Sequence, residues 1–223
     1  VQAIGSQALT ILGENAFNTF SKIGIPTSKH EEWKYTRISS VLNKDYDFAR
    51  ASTIVSAEDL SAIRLPGYEE ANELVFVNGR YSSSLSKIVS RELTVKMIEE
   101  AAVGEFKELV ENQLGNSSRY IRDGIHALNT AFAREGIFIH VGKNLEVEHP
   151  VYIYNITDAK SANILAQPRS LIYISQAAKV QMVETYLTLG KSESFTNQVM
   201  EVVVEQDAIV EYYKIQNDEA HTS

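Results

Sequence analysis

The chain has 223 residues, a formal net charge of −8 and no cysteine. The acidic balance argues against a nucleic-acid binder, which needs clustered lysine and arginine to neutralise phosphate. The missing cysteine removes disulfides, thiol nucleophiles and any thiolate-held zinc or iron–sulfur site supplied by this chain alone. No apolar run approaches the length of a membrane span, and no basic segment precedes an apolar one at the start. These features fit a reducing, cytoplasmic setting. The absent initiator methionine suggests a trimmed or fragmentary chain.

Leu9, Leu12, Ala16, Phe20 and Ile23 recur at helical spacing, which predicts an amphipathic helix from about Gly5 to Lys22, closed by Gly24 and Pro26. In PTSKHEEWKYTRIS, Ser28 and Glu31 have capping-box spacing. Trp33, the sole tryptophan, is expected as a half-buried ring that docks this turn on a neighbour. Ser56 and Asp59 repeat the capping pattern before a short helix. In LVFVNGRYSSSLS, Asn78-Gly79 between alternating strands predicts a hairpin, because both central turn positions need positive φ.

Helical pattern returns from about Val95 to Leu114, broken by Gly104. It appears again from Ser118 to Arg134, where Ile121, Ile125, Leu128 and Phe132 share a face. Gly136 ends it. Beyond that point short apolar strands follow one another without hairpin turns. Ile137 and Ile139 alternate with Phe138 and His140, and Leu171 and Tyr173 with Ile172 and Ile174. Met200, Val202 and Val204 are expected buried, with Glu201 and Glu205 on the wet face. The fold class expected is mainly β with an α-rich N-terminal domain. Residues 1–135 form the α-rich domain with one hairpin. Residues 136–223 begin a β-solenoid core whose C-terminal remainder, and hence its end cap, is missing.

Neither a phosphate-binding glycine loop nor a GxSxG elbow occurs. His30, His126, His140, His149 and His221 are dispersed, without HxH or HExxH spacing; His140 reads as a packed or rim residue. Asp123 and His126, one helical turn apart, read as a surface contact, since no nucleophile accompanies them. Glu31-Glu32, Glu69-Glu70 and Glu99-Glu100 read as solvated faces. Glu201 and Glu205 share a strand face and could line the groove of a polysaccharide-cleaving solenoid, but outward charge is the default. No catalytic or metal-binding set is assigned, and cofactor-binding residues stay open.

Several stretches together resemble one family. PTSKHEEWKYTRIS is similar to a segment near the start of the SufD side of the SufB/SufD family, subunits of the Suf iron–sulfur cluster assembly scaffold. LVFVNGRYSSSLS, ALNTAFAREGIFIHVGKNLEVEHPVYI and AIVEYYKIQN resemble later blocks in the same order, over nearly the whole chain. The resemblance implies an N-terminal helical domain and a right-handed parallel β-helix. It also implies pairing with a SufB-like subunit, and docking of a SufC-like ATPase on a C-terminal segment with no counterpart here. The iron–sulfur cluster would then sit transiently on the assembled complex, with no cofactor on this chain alone. SufB is the near alternative within the family, but it supplies cysteine and lacks the EEWKYT segment. The expectation is a non-catalytic scaffold subunit, with self-association as a homodimer from the uncapped end. The alternatives are a carbohydrate-active β-helix enzyme or an unrelated β-solenoid binding module.

Overall fold

The computed structural model describes residues 6–48 and 55–216; His221 and the tail expected to finish without structure lie outside them. Helix α1, Gln7–Ile23, is capped by Ser6, whose hydroxyl accepts from the Leu9 amide, and ends at Gly24 with φ 70°. After it come α2 (Ile38–Val41), α3 (Ala57–Ile63), α4 (Ile98–Ala101), α5 (Lys107–Gln113) and α6 (Gly124–Ala131). The box before α3 is present in full: Ser56 accepts from the Asp59 amide and Asp59 accepts from the Ser56 amide. Ser28 makes no such cap. A short 3-10 turn, Glu31–Trp33, starts there instead, with His30 at its N-cap. Trp33 is half-buried against the cluster around Ile38, Leu128 and Phe195, as a docking ring should be.

Strands β1 (Asn72–Val77) and β2 (Arg80–Tyr81) form the expected hairpin, and Asn78 and Gly79 both have positive φ. Two helical expectations need correction. Leu93–Met97 is a strand, β3, because Leu93, Val95 and Met97 alternate, and only α4 and α5 around Gly104 are helical. Ser118–Arg134 is not one helix. Asp123 accepts from the His126 amide and so starts α6 afresh, while Ile121 and Phe132 stay exposed.

Beyond Gly136 the chain runs through β4 (Ile137–Val141), β5 (Val151–Ala159), β6 (Ile164–Ala166), β7 (Arg169–Ile174), β8 (Lys179–Gly190), β9 (Ser194–Thr196), β10 (Val199–Val204) and β11 (Ile209–Ile215). Each pairs in parallel with the third strand along: β7 lies between β4 and β10, β8 between β5 and β11, and β6 pairs with β9. Antiparallel β3 borders β4, and β1 lies parallel to β5 with antiparallel β2 outside it, so the two larger sheets are mixed. The turn after each strand of the β4 series holds one residue in the left-handed region: Asn144, Ala177 and Asp207, with φ near 60°.

A parallel in-register ladder stacks like faces on one another. One face of β4 and β7, carrying Ile137, Ile139, Ile172 and Ile174, meets Leu74, Phe76, Ile153 and Met182 of the facing sheet in the largest core. The opposite face, carrying Phe138 and Leu171, is covered by Leu9 of α1 and by Ile98, Ala101, Val110 and Leu114. Both faces are therefore buried, and the expectation for β10 fails in an instructive way. Val202 stands over Ile172 and Ile139 on the inner face, yet is 43% exposed because β10 is the outermost strand of its sheet. Glu201 stands over Leu171 and Phe138, on the face that the N-terminal helices cover, and is 8% exposed.

Candidate functional site

Glu201 leads to the centre of the molecule's polar architecture. Its partner is Arg169, the first residue of β7 and only 1% exposed, whose Nη2 donates to Glu201 Oε2 at 2.5 Å. Nη1 of the same guanidinium donates to Asn129 Oδ1 and Thr130 Oγ1 of α6, both at 3.2 Å. Asn129 in turn donates to the carbonyls of Pro168 and Asn197. Asn197 donates to the Ile125 carbonyl and to Gln167. Glu201 Oε2 also takes the Gly115 amide at 2.9 Å, and Oε1 takes the Ser117 amide at 2.7 Å and the Ser117 hydroxyl at 2.6 Å. All of these groups but Arg169 Nε, which is buried without a partner, are met in this way, and a buried ion pair is tolerated when its remaining donors and acceptors are largely satisfied.

The electrostatics follow from the packing. Burial alone would raise the Glu201 carboxyl, but the Arg169 charge, the Ser117 hydroxyl and the two amides outweigh it and hold it below the usual range. Burial presses the Arg169 guanidinium down while Glu201 opposes that, and the pair stays ionised. His126 of α6 lies 2.9 Å by Nε2 from Ser117 Oγ. Burial first, and then the Arg169 charge, lower its pKa against the pull of Asp123 and Glu201. An ionised carboxylate only accepts, so Ser117 donates its one proton to Glu201 and receives from His126 Nε2–H. An imidazole that donates to a serine cannot take its proton, the reverse of what a nucleophile requires.

The sequence therefore misjudged Asp123 and His126. Asp123 is the N-cap of α6, and His126 is a buried residue and not a surface contact. Above His126 lies a groove of about 370 Å³ between α1 and α6, lined by Leu12, Ala16, Ile23, Ile121 and Thr130 among others. The other histidines are apart from it. His30 is exposed and accepts from the Thr27 amide within its own turn. His140 packs with Phe106, Phe138 and Tyr173 and meets Ser175, so the packed reading holds. His149 offers its backbone carbonyl to Asn72. Glu205 does not share a groove with Glu201; it accepts from the Tyr173 hydroxyl and the Gln176 amide. Among the described residues no three histidine or acidic side chains gather as a metal site. No described helix is long and apolar enough to cross a membrane. The signal that could have found Arg169 and Glu201 is opposite charge at the start of one apolar strand and inside the next strand of the same ladder, two residues off register.

Residues 1–153 match the family described as SufBD protein N-terminal region, and residues 155–223 match the SUF system FeS cluster assembly SufBD core domain. Among curated proteins, an iron–sulfur cluster assembly SufBD family protein of Synechocystis is 25% identical over 92% of this chain and 47% of its own length. The iron–sulfur cluster assembly protein SufD of Escherichia coli is 23% identical over 87% of the chain and 43% of its own. A SufBD family protein of Staphylococcus aureus is 30% identical over 68% and 34%. The chain thus spans less than half the length of these relatives.

Proposed function

The chain belongs to the SufBD family of iron–sulfur cluster assembly proteins, and from that premise we propose that it serves the Suf system as a non-catalytic scaffold subunit of SufD type. The observation that carries this reading is how the buried charges are used. Arg169, Glu201, Ser117 and His126 hold α6 and the Gly115–Ser117 turn against β7 and β10, so this charge stiffens a body and presents no reacting group. The carbohydrate-active alternative loses its pair of acids, because Glu201 is tied to Arg169 and Glu205 to Tyr173.

In this reading β4 to β11 are successive turns of a right-handed parallel β-helix. The N-terminal domain ends near residue 135 and the core begins at 136, although β1 and β3 hydrogen-bond into the core sheets. A SufB-like subunit pairs with the core and holds the nascent cluster, and a SufC-like ATPase docks through a C-terminal segment outside these 223 residues. The cluster is cargo of the assembled complex, and this chain carries no cofactor of its own. The outermost strands β10 and β11 also suit self-association as a homodimer. The setting proposed is the cytoplasm.

The test is co-purification of the full-length protein with SufB-like and SufC-like subunits, followed by anaerobic incubation with ferrous iron and sulfide. Iron and acid-labile sulfide should stay near background on this chain alone and rise with the complete set. Stoichiometric iron and a visible chromophore on the isolated chain would overturn the scaffold reading.

A further inference from the structure

The groove between α1 and α6 follows from how the two helices touch. A Cβ on Gly13 would stand 3.1 Å from the Ala131 carbonyl oxygen, and one on Gly124 only 1.7 Å from that of Gly24. The helices thus approach backbone to backbone at both ends of α6. Between those points α1 brings Ala16 to the groove and α6 brings Ala127, both too small to fill it. The third wall is the stretch that carries Gly115 and Ile121, where a Cβ on Gly115 would meet Leu12 Cδ1 at 2.8 Å. Glu201 holds that wall by accepting the Gly115 and Ser117 amides. All three walls are therefore fixed without an occupant.

The buried polar side chains of this groove are matched within the protein, with one exception. Thr130 donates its hydroxyl to the His126 carbonyl and accepts from Arg169. His126, 5% exposed, donates Nε2–H to Ser117, which makes Nδ1 the acceptor of the ring. Nδ1 has no hydrogen-bond partner among the described residues. Nor is it one of the fully enclosed unpartnered atoms, which are Asn155 Oδ1, Gln167 Nε2 and Arg169 Nε, so it meets the groove that His126 lines. Leu12, Ile23 and Ile121 supply apolar wall around it. The rim carries one charge of each sign, Arg122 and Asp123.

A largely apolar groove of about 370 Å³ with a single unmatched acceptor has the size and lining of a small-molecule site. A lone acceptor selects a donor, and a rim of balanced charge favours a neutral molecule. We propose that the groove between α1 and α6 binds a small neutral molecule with an apolar body and one hydroxyl group, a phenol or an alcohol, whose hydroxyl donates to His126 Nδ1. The chain from Glu201 through Ser117 to His126 keeps that nitrogen an acceptor before the ligand arrives, so the site is preorganised. The site is independent of the scaffold reading, since it draws on no iron, sulfide or partner subunit.

Binding of para-propylphenol and of its methyl ether to the full-length protein separates the hydroxyl from the apolar body. The phenol should bind about ten-fold more tightly, as one hydrogen bond to a buried acceptor allows. With isotope-labelled histidine, NMR should show the phenol, and not the ether, shifting the Nδ1 resonance of His126. His126→Gln can keep the donation to Ser117 but places no acceptor where Nδ1 stands, so phenol and ether should bind it alike. Thr19→Trp, an exposed change on α1 at the lip of the groove, should abolish binding of both. No binding of either probe at millimolar concentration, or equal affinities in the parent, would overturn the proposal. So would a preference for the phenol that survives His126→Gln, or binding that survives Thr19→Trp.

Discussion

Replacing Glu201 with Gln should be among the most damaging single changes in the β stack. The substitution preserves shape, but its one carbonyl oxygen can replace either Oε2, which takes Arg169 and the Gly115 amide, or Oε1, which takes the Ser117 amide and hydroxyl, and the Arg169 guanidinium, 1% exposed, loses its counter-ion. Breaking a buried pair from one side costs about 3–5 kcal/mol, because the survivor stays buried and unpaired. The Gln NH2 then faces N–H donors in place of an acceptor, so the lower end, about 3 kcal/mol, is a minimum. For a chain of this size that corresponds to a fall in Tm of about 6–12 °C. Differential scanning calorimetry of Glu201→Gln beside Glu205→Gln is the direct comparison, since Glu205 sits on the same strand side with Tyr173 and Gln176 as neutral partners. Glu205→Gln should cost less than about 1 kcal/mol. Adding Arg169→Leu to Glu201→Leu should recover part of the loss of either single change, and the cycle gives the coupling directly. A Glu201→Gln protein melting within about 1 °C of the parent would show that the pair does not hold the helices to the sheet.

Other expectations follow from the same structure. The Glu201 carboxyl is held low, so its contribution is complete above the ordinary carboxylate pKa of about 4.3 and disappears as pH falls through the lower folded value; the stability gap between the parent and Glu201→Gln should therefore narrow over that range of pH. His126 is also shifted down, so it adds stability above about pH 6.5 that falls away as the pH drops through its folded pKa. Its ring resonances should titrate below that point by NMR, and a titration at or above 6.5 would contradict its burial. Gly124→Ala would bring a Cβ to 1.7 Å from the Gly24 carbonyl oxygen, so α1 must move off α6. A loss of about 1–3 kcal/mol is expected, with faster amide exchange across α1 as the readout. Ile172→Ala should cost about 2–5 kcal/mol by urea denaturation, against under about 1 for Val202→Ala on the same inner column, because only Ile172 is enclosed.

Much of the local structure could be read without coordinates because its causes are local. The Ser56–Asp59 box, the Asn78-Gly79 turn and the Gly24 stop each depend on a few adjacent residues, and each is where the sequence places it. Errors arose where the deciding partner is distant in sequence. Leu93, Val95 and Met97 lie in a stretch that also satisfies helical spacing, and pairing with β4 settles the matter. Glu201 looks like an outward charge because alternation identifies two faces but cannot say that helices cover the second. The resemblance itself touched the site unawares: Asn129 and Thr130 belong to the LNTAF stretch, and both hydrogen-bond to Arg169.

The left-handed residues at Asn144, Ala177 and Asp207 carry a further consequence. Asparagine and aspartate suit that conformation, whereas alanine does so at a cost. The amides of Asn144 and Ala177 donate to Gln176 and Gln206, so each bend is tied to the one above it. Periodicity in this molecule is thus kept as a rhythm of torsion angles and not as a refrain of letters. Such a rhythm can survive while the letters drift, provided that each bend still accepts its neighbour. Search by residue identity would hear three unrelated phrases here, while the backbone keeps the same beat.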